Sequence, residues 1–347
     1  HPALAAAHAH GDVVPLFVVD PAFATAGLPR RAFMASALQA LDDRIGGALV
    51  YRHGNPVDVV PAFAAEVGAD VVVVSRDHGP YGHRRDAAVA ARLAVDGRTL
   101  RGVGSNYAVD PGSVNKADGT SYAVFTPFSR AWLAIGQPRW ADRIDTPSPG
   151  EVGWVGHPDV RCDGPPTVEP CDVALPEVTE AAAHRQWQAF LGDGLDRYDD
   201  RRNLPGEPGT SRLSPYLRWG LLHPRQLLDD LGDQRSHQVF RSELAWREFY
   251  ADVLYRRPDT AWRNLQPKMD AMPVDTDDRA RERFAAVVRA GGAAGDPADV
   301  RLDLALLLAS AETIPDVDDT SLDAATMCLV LHHLARLLAG DPYPSVG

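Results

Sequence analysis

The sequence predicts two architectures in one chain: an α/β unit built on a doubly wound parallel sheet of Rossmann-like type, followed by an all-α unit. Three observations carry this. Over residues 1–130 short β-branched runs alternate with Ala-rich amphipathic stretches, the rhythm of a buried parallel sheet. Residues 141–176 are rich in Pro, Gly and Asp and have no hydrophobic period, as expected of a long connector. From about residue 180 onward apolar positions recur at helical spacing.

In chain order, Val13–Val19, Ala48–Tyr51 and Asp70–Val74 are runs too short and uniform for anything but buried strands. Between and after them, Phe33–Leu41, Val57–Val67 and Asp86–Ala94 are the amphipathic stretches that would cover the sheet. Helical segments with caps and breaks are expected near 177–192, 215–231, 236–257, 276–290, 299–311 and 320–339. The implied division is residues 1–130, a connector at 131–176, and a helical unit at 177–347.

A chain of 347 residues can build two real cores. Its hydrophobic content is 45%, with no apolar run of the roughly 18 residues a membrane span needs. Nothing resembles a secretory signal or lipidation motif, so the cytoplasm is the expected compartment. Cys162, Cys171 and Cys328 have no C-x-x-C spacing and suggest neither zinc nor a disulfide framework. His332-His333 is a poor metal pair, because adjacent helical residues point about 100° apart; no metal site is expected. The formal charge of −12 opposes long-range attraction to nucleic acid. Yet Arg197, Arg201, Arg202, Arg212, Arg218, Arg225, Arg241 and Arg247 crowd one stretch of a chain whose lysines are Lys116 and Lys268. They read either as a basic patch or as solvated helix faces.

That stretch holds the two most informative segments, Gly-Thr-Ser-Arg-Leu-Ser-Pro-Tyr-Leu-Arg-Trp-Gly at 209–220 and Glu-Leu-Ala-Trp-Arg-Glu-Phe-Tyr at 243–250. In the first, Ser214 is expected to cap a helix and Pro215 to take its first position. The hydroxyls of Thr210 and Ser211, the Arg212 guanidinium and free backbone N–H groups would then converge on an anion such as a pyrophosphate. In the second, Glu243, Trp246, Arg247 and Tyr250 fall at i, i+3, i+4 and i+7 and share a helical face. Taken singly, these pieces read as a common helix start, an exposed i,i+4 ion pair and a core tryptophan.

In order and spacing the two segments resemble the signature stretches of the photolyase and cryptochrome family. The resemblance extends to Val13–Pro21, to Val71–Ser75 with the turn at Arg76–Asp86, and to Asp118–Phe128 with Trp132. It runs from about residue 2 to about residue 284 and is most similar to bacterial class I enzymes that repair cyclobutane pyrimidine dimers. It implies an N-terminal antenna domain, a helical domain binding flavin adenine dinucleotide (FAD) and UV-damaged DNA, and a monomer. It implies Tyr198, Thr210, Ser211, Arg212, Leu213 and Ser214 on the adenine–pyrophosphate side of FAD, with Phe240, Glu243 and Arg247 bounding the flavin. Arg202 matches a DNA-phosphate contact, and Trp246 matches an aromatic that packs on the flipped dimer. Glu243 matches the carboxylate that hydrogen-bonds the pyrimidine edge, and Arg247 and Tyr250 share that DNA face. Glu243 and Trp246 would be the catalytic pair. Residues 117–121 lack the His-Glu pair of folate-binding relatives, which favours an 8-hydroxy-5-deazaflavin antenna, or none, over methenyltetrahydrofolate.

The chain departs from the pattern at both ends. The family begins with a central strand before the position matched by His1–Leu4. After Phe284 the family's flavin-ring and tryptophan-relay residues have no counterpart, and Val287 stands where the first relay tryptophan is expected. The acidic, Leu-rich tail still has helical stretches at Leu302–Leu308 and Leu322–Leu338. Three functions follow as expectations: light-driven dimer repair, a cryptochrome-like flavin photoreceptor without repair, or a truncated or rearranged relative that binds nothing.

Overall fold

A computed structural model describes residues 2–137, 140, 152–155, 162–171, 173–204 and 207–271. The expected helices near 276–290, 299–311 and 320–339, Cys328 and His332-His333 lie outside the described residues, as does much of the connector.

The first unit runs α1 (Pro2–His8), β1 (Leu16–Val19), α2 (Leu28–Arg44), β2 (Val50–His53), α3 (Pro56–Glu66), β3 (Val71–Val74), α4 (Pro80–Val95) and β4 (Thr99–Gly102). β1 pairs in parallel with β2, Leu16 opposite Val50, and β3 pairs in parallel with β4, Val71 opposite Thr99. Parallel neighbours need a crossover, supplied here by α2 and α4. Asn55 starts α3 by accepting the Val57 N–H at 3.0 Å. The sequence does not announce β4, because Thr99-Leu100-Arg101-Gly102 alternates exposed and half-buried residues and has no apolar run.

Among the described residues the sheet is two separate pairs. The residues of β1 and β3 line one cavity, and their apolar side chains are half-buried, that of Val71 exposed, where a central strand's would be fully covered. β2 is sealed on its outer side by the connector. Tyr51 N–H donates to Cys162 Sγ at 3.4 Å, and the Asp163 N–H donates to the Tyr51 carbonyl at 3.0 Å.

The largest core belongs to α5 (Phe125–Gly136), α6 (Glu180–Ala189), α7 (Tyr198–Arg201), α8 (Ser214–Trp219), α9 (Pro224–Asp229) and α10 (Arg235–Arg256). Trp132, Trp187, Leu195, Leu213 and Leu227 are sealed within it. Thr179 caps α6 by accepting from the Ala182 N–H. α6 then winds through a π turn, Phe190–Gly194, and a 3₁₀ turn, Leu195–Arg197, into α7. That path sets Phe190 edge-on to Tyr198 and brings Tyr198 edge-on to Phe240 of α10. The expected stretch 215–231 is two short helices, because Gly220 takes a left-handed φ of 75° and ends α8. His223 opens α9, its Nδ1 accepting from the Arg225 N–H while the Gln226 side chain accepts from the His223 N–H.

Candidate functional site

Between the half-sheets and the helices lies a cavity of about 4000 Å³. Of the twelve residues singled out from the sequence, Tyr198, Thr210, Ser211, Arg212, Leu213, Ser214, Phe240, Glu243, Arg247 and Tyr250 line it, while Arg202 and Trp246 do not.

The 209–214 loop is shaped by two tight positions. Gly209 is buried against the preceding helix, so close that a Cβ there would sit 2.4 Å from the Arg201 carbonyl oxygen. Arg212 has φ 54°, the one non-glycine residue in the left-handed region among the described residues. Gln186 on α6 ties the loop down, its Nε2 donating to the Ser211 carbonyl at 3.0 Å. The cap differs from expectation. Leu213, not Ser214, is the N-cap, and no side chain caps the helix. Leu213 is sealed in the core, and its carbonyl already accepts the Leu217 N–H at 3.0 Å. Ser214 therefore moves to the first helical position with its side chain exposed, and Pro215 to the second.

On α10 the anticipated Glu243–Arg247 pair does not form. Glu243 instead pairs with Arg202, which follows α7 and reaches across. Burial works against the Arg202 cation, but the carboxylate outweighs that and holds its pKa above the usual arginine value. Arg247 turns toward the first unit. Its Nη2 donates to the Asn106 carbonyl at 3.0 Å, and its guanidinium lies 4.7 Å from the Tyr107 ring centre. Burial pulls its pKa below the usual value, and its buried Nη1 has no partner among the described residues. Trp246 is turned away from the cavity, stacked on Phe125 of α5 with ring centres 3.5 Å apart and planes 8° apart.

The eight clustered arginines are largely spent on the fold. Arg197 faces Asp193 and Arg201 faces Glu207; Arg225 donates to the Ala108 carbonyl and Arg241 to the carbonyls of Leu231 and Gly232. Arg212 and Arg218 stay exposed, the latter 5.5 Å from the Trp219 ring centre.

A buried polar seam beside the site was not singled out from the sequence. Glu248 is fully buried and accepts from the N–H groups of Ala108 and Val109 and from the Trp132 indole. Burial pushes its pKa up to about 7 against the pull of these donors and of Arg247. One turn on, buried Asp252 accepts the Gly112 N–H at 2.7 Å and the Arg256 Nε–H at 2.8 Å. Burial lowers the pKa of His223 to about 4. A neutral ring whose Nδ1 accepts from Arg225 carries its proton on Nε2, which donates to the Ser105 carbonyl at 3.1 Å. Helical spacing alone shows Glu248 one position off the polar face, where a carboxylate has no reason to be unless paired; that was the available signal. Among the described residues no helix is long and apolar enough to cross a membrane, and no His, Cys, Asp or Glu cluster could hold a metal ion.

Residues 1–149 match the DNA photolyase family. A deoxyribodipyrimidine photo-lyase of Halobacterium salinarum is 33% identical over 291 residues, which cover 75% of this chain and 57% of the relative. The solved bacterial class III photolyase from Agrobacterium tumefaciens is 25% identical, with a TM-score of 0.66 over 82% of this chain and 62% of that one. An archaeal photolyase from Sulfolobus tokodaii, solved with two FAD molecules, shares the fold at a TM-score of 0.56 and 19% identity over 78% and 60% of the two chains. The chain thus spans about three-fifths of the length of these relatives. An α/β unit joined to a helical unit, with the 209–214 loop and the polar face of α10 meeting at one cavity, agrees with these likenesses over both units, and the chain belongs to the DNA photolyase family.

Proposed function

We propose that this chain carries the FAD- and lesion-binding part of a light-driven enzyme that repairs cyclobutane pyrimidine dimers in DNA. The observation that carries the reading is the convergence of the 209–214 loop, Tyr198, Phe240, Glu243 and Arg247 on one cavity. The donor set suits FAD. Hydroxyls of Thr210, Ser211 and Ser214 and the exposed Arg212 guanidinium answer a pyrophosphate, Phe240 and Tyr198 offer aromatic walls, and the unpartnered buried Nη1 of Arg247 can donate to a ring acceptor. When bound and reduced, FAD would supply, on excitation by light, the electron that opens the cyclobutane ring and that returns afterwards. The chain's own tasks are to hold, orient and shield. Glu243 would hydrogen-bond the pyrimidine edge, Arg202 would hold a phosphate once released from Glu243, and Trp246 would present a stacking surface to the flipped dimer. The proposed division is 1–130 for the antenna unit and 177–347 for the FAD and DNA unit. An 8-hydroxy-5-deazaflavin antenna remains part of this proposal.

Trp246, turned away from the cavity, favours a second reading, a flavin photoreceptor without repair. The two separate in stages. Visible absorption of the purified chain, with flavin released and quantified per mole, is expected to show near-stoichiometric FAD; none would remove both readings. Affinity for a thymine-dimer oligonucleotide over its undamaged counterpart is expected under repair, and equal affinities would leave the photoreceptor.

A further inference from the structure

We infer that Phe125 is an intramolecular competitor for the face of Trp246 on which a flipped base would stack, and that it thereby sets the threshold for lesion binding. The inference rests on the repair reading above and deepens it. Phe125 and Trp246 are nearly coplanar in orientation, 8° apart, with ring centres at 3.5 Å, the arrangement a base takes on an aromatic side chain. Tyr250 stacks beside Trp246 at 5.5 Å and 23°. Glu243, Arg247 and Tyr250 line the cavity and Trp246 does not, so its position on the polar face of α10 is spent on Phe125.

Beside Trp246, Phe125 meets the core edge-on at Phe249, ring centres 6.0 Å apart, and its backbone is placed to let go. It is the first residue of α5, which has no side-chain cap; Val124 before it is 62% exposed, and the first helical hydrogen bond, from the Phe128 N–H to the Val124 carbonyl, is long at 3.4 Å. Helix ends of this kind fray at small cost. Phe128, three residues later, is sealed in the core at 1% exposure and packs edge-on to Phe249. Unwinding the first turn would thus free Phe125 while α5 stays docked. A normal stacked base gains little by this exchange, whereas a dimer, already poorly stacked, leaves the duplex more readily and can displace the phenyl ring. Phe125 would act as a filter as well as a plug.

The test measures binding in the dark, which needs no catalysis. A fluorescently labelled oligothymidylate carrying one cyclobutane dimer, and the same oligomer undamaged, are titrated with the parent, Phe125→Ala, Phe125→Leu and Trp246→Ala chains. Both Phe125 variants are expected to bind the dimer oligomer roughly 2- to 10-fold more tightly than the parent, the range an aromatic pair contributes. Undamaged oligomer should gain less. Trp246→Ala should weaken dimer binding and abolish the gain when combined with Phe125→Leu. Phe125→Leu keeps the apolar volume, so it decides the matter if Phe125→Ala loses its melting transition. Unchanged or weaker dimer affinity in a folded Phe125→Leu chain, with Trp246→Ala still weakening it, overturns the competitor role alone. Dimer affinity indifferent to Trp246→Ala overturns the lesion-stacking reading and the competitor role with it.

Discussion

The buried carboxylate of Glu248 on α10 accepts the indole N–H of Trp132 on α5 at 2.5 Å, and the same carboxylate receives the backbone N–H groups of Ala108 and Val109. One side chain thus fastens the central helix of the helical unit both to α5 and to the loop that leaves the sheet. All three partners are donors, which the ionised carboxylate, the form present above pH about 7, answers with both oxygens. Glu248→Gln keeps shape but turns an amide N–H₂ toward an N–H donor. Broken buried charge–dipole seams of this kind cost about 3 kcal/mol. The expected outcome is a loss of that order in urea unfolding, with about 1 to 2 kcal/mol for Trp132→Phe, which removes one donor and some packing. Equal stability of Glu248→Gln and the parent would remove the fastening role.

The same residue makes stability depend on pH. Glu248 has a folded pKa of about 7, raised by burial above the usual 4.5 of a glutamate. A carboxylate raised in this way holds a proton in the folded state where the unfolded chain has lost it. Its contribution is therefore fully present below about 4.5 and is lost as pH rises through about 7. The unfolding free energy of the parent minus that of Glu248→Gln is expected to fall across that window. Asp110 acts with the opposite sign at lower pH. The imidazole of His78 3.7 Å away, then the Ser105 hydrogen bond and the Arg76 charge, hold its pKa at about 2 against burial, so its contribution is lost as pH falls from 3.8 through about 2. Urea titrations at half-unit pH steps check both slopes.

What the sequence made legible follows from how strongly each residue's neighbours in the chain decide its place. β1 to β3 and α10 were legible because uniform apolar runs and a long 3.6-residue period leave one outcome. The ten residues that line the cavity were legible through their resemblance to a known pattern. The partners of Glu243, Trp246 and Ser214 were not. Arg202, Phe125 and the Leu213 cap are chosen by tertiary packing, which brings positions 41 and 121 residues apart into contact and overrides the local i,i+4 and capping rules. α5 is absent from the expected elements although Phe125, Phe128, Trp132 and Ile135 fall at helical spacing, because the stretch has no side-chain cap and carries Pro127 in its first turn, so the period has no start signal.

Arg202 and Glu243 test the electrostatics of the site directly. Their side chains are 21% and 36% exposed, so water screens the pair and the geometry alone overstates its worth. A double-mutant cycle with Arg202→Ala and Glu243→Ala is expected to return a coupling of about 0.5 to 1 kcal/mol in thermal unfolding, shrinking in 0.5 M salt. Arg202→Ala is also expected to reduce affinity for damaged and undamaged DNA alike, because a phosphate contact carries no sequence information. A coupling near zero would show that the two groups meet without holding one another.

Gly209 sets the loop that the flavin reading depends on. Its φ is not left-handed, so the constraint is steric: a Cβ would lie 2.4 Å from the Arg201 oxygen and 2.7 Å from its carbonyl carbon, both backbone atoms that cannot rotate aside. Gly209→Ala must therefore push residues 209–214 away from Arg201. Overpacking of this kind costs roughly 1 to 3 kcal/mol, and the displaced Thr210, Ser211, Arg212 and Ser214 would no longer converge on a pyrophosphate. Gly192→Ala is the control, since nothing lies within 4 Å of the added methyl and its φ is not left-handed. It is expected to be neutral or to stabilise by up to about 1 kcal/mol through the unfolded chain. Flavin released per mole should drop in Gly209→Ala beyond what its fraction of folded protein explains, and stay at the parent level in Gly192→Ala. Parent-level flavin in a folded Gly209→Ala chain would mean that the loop does not hold the pyrophosphate.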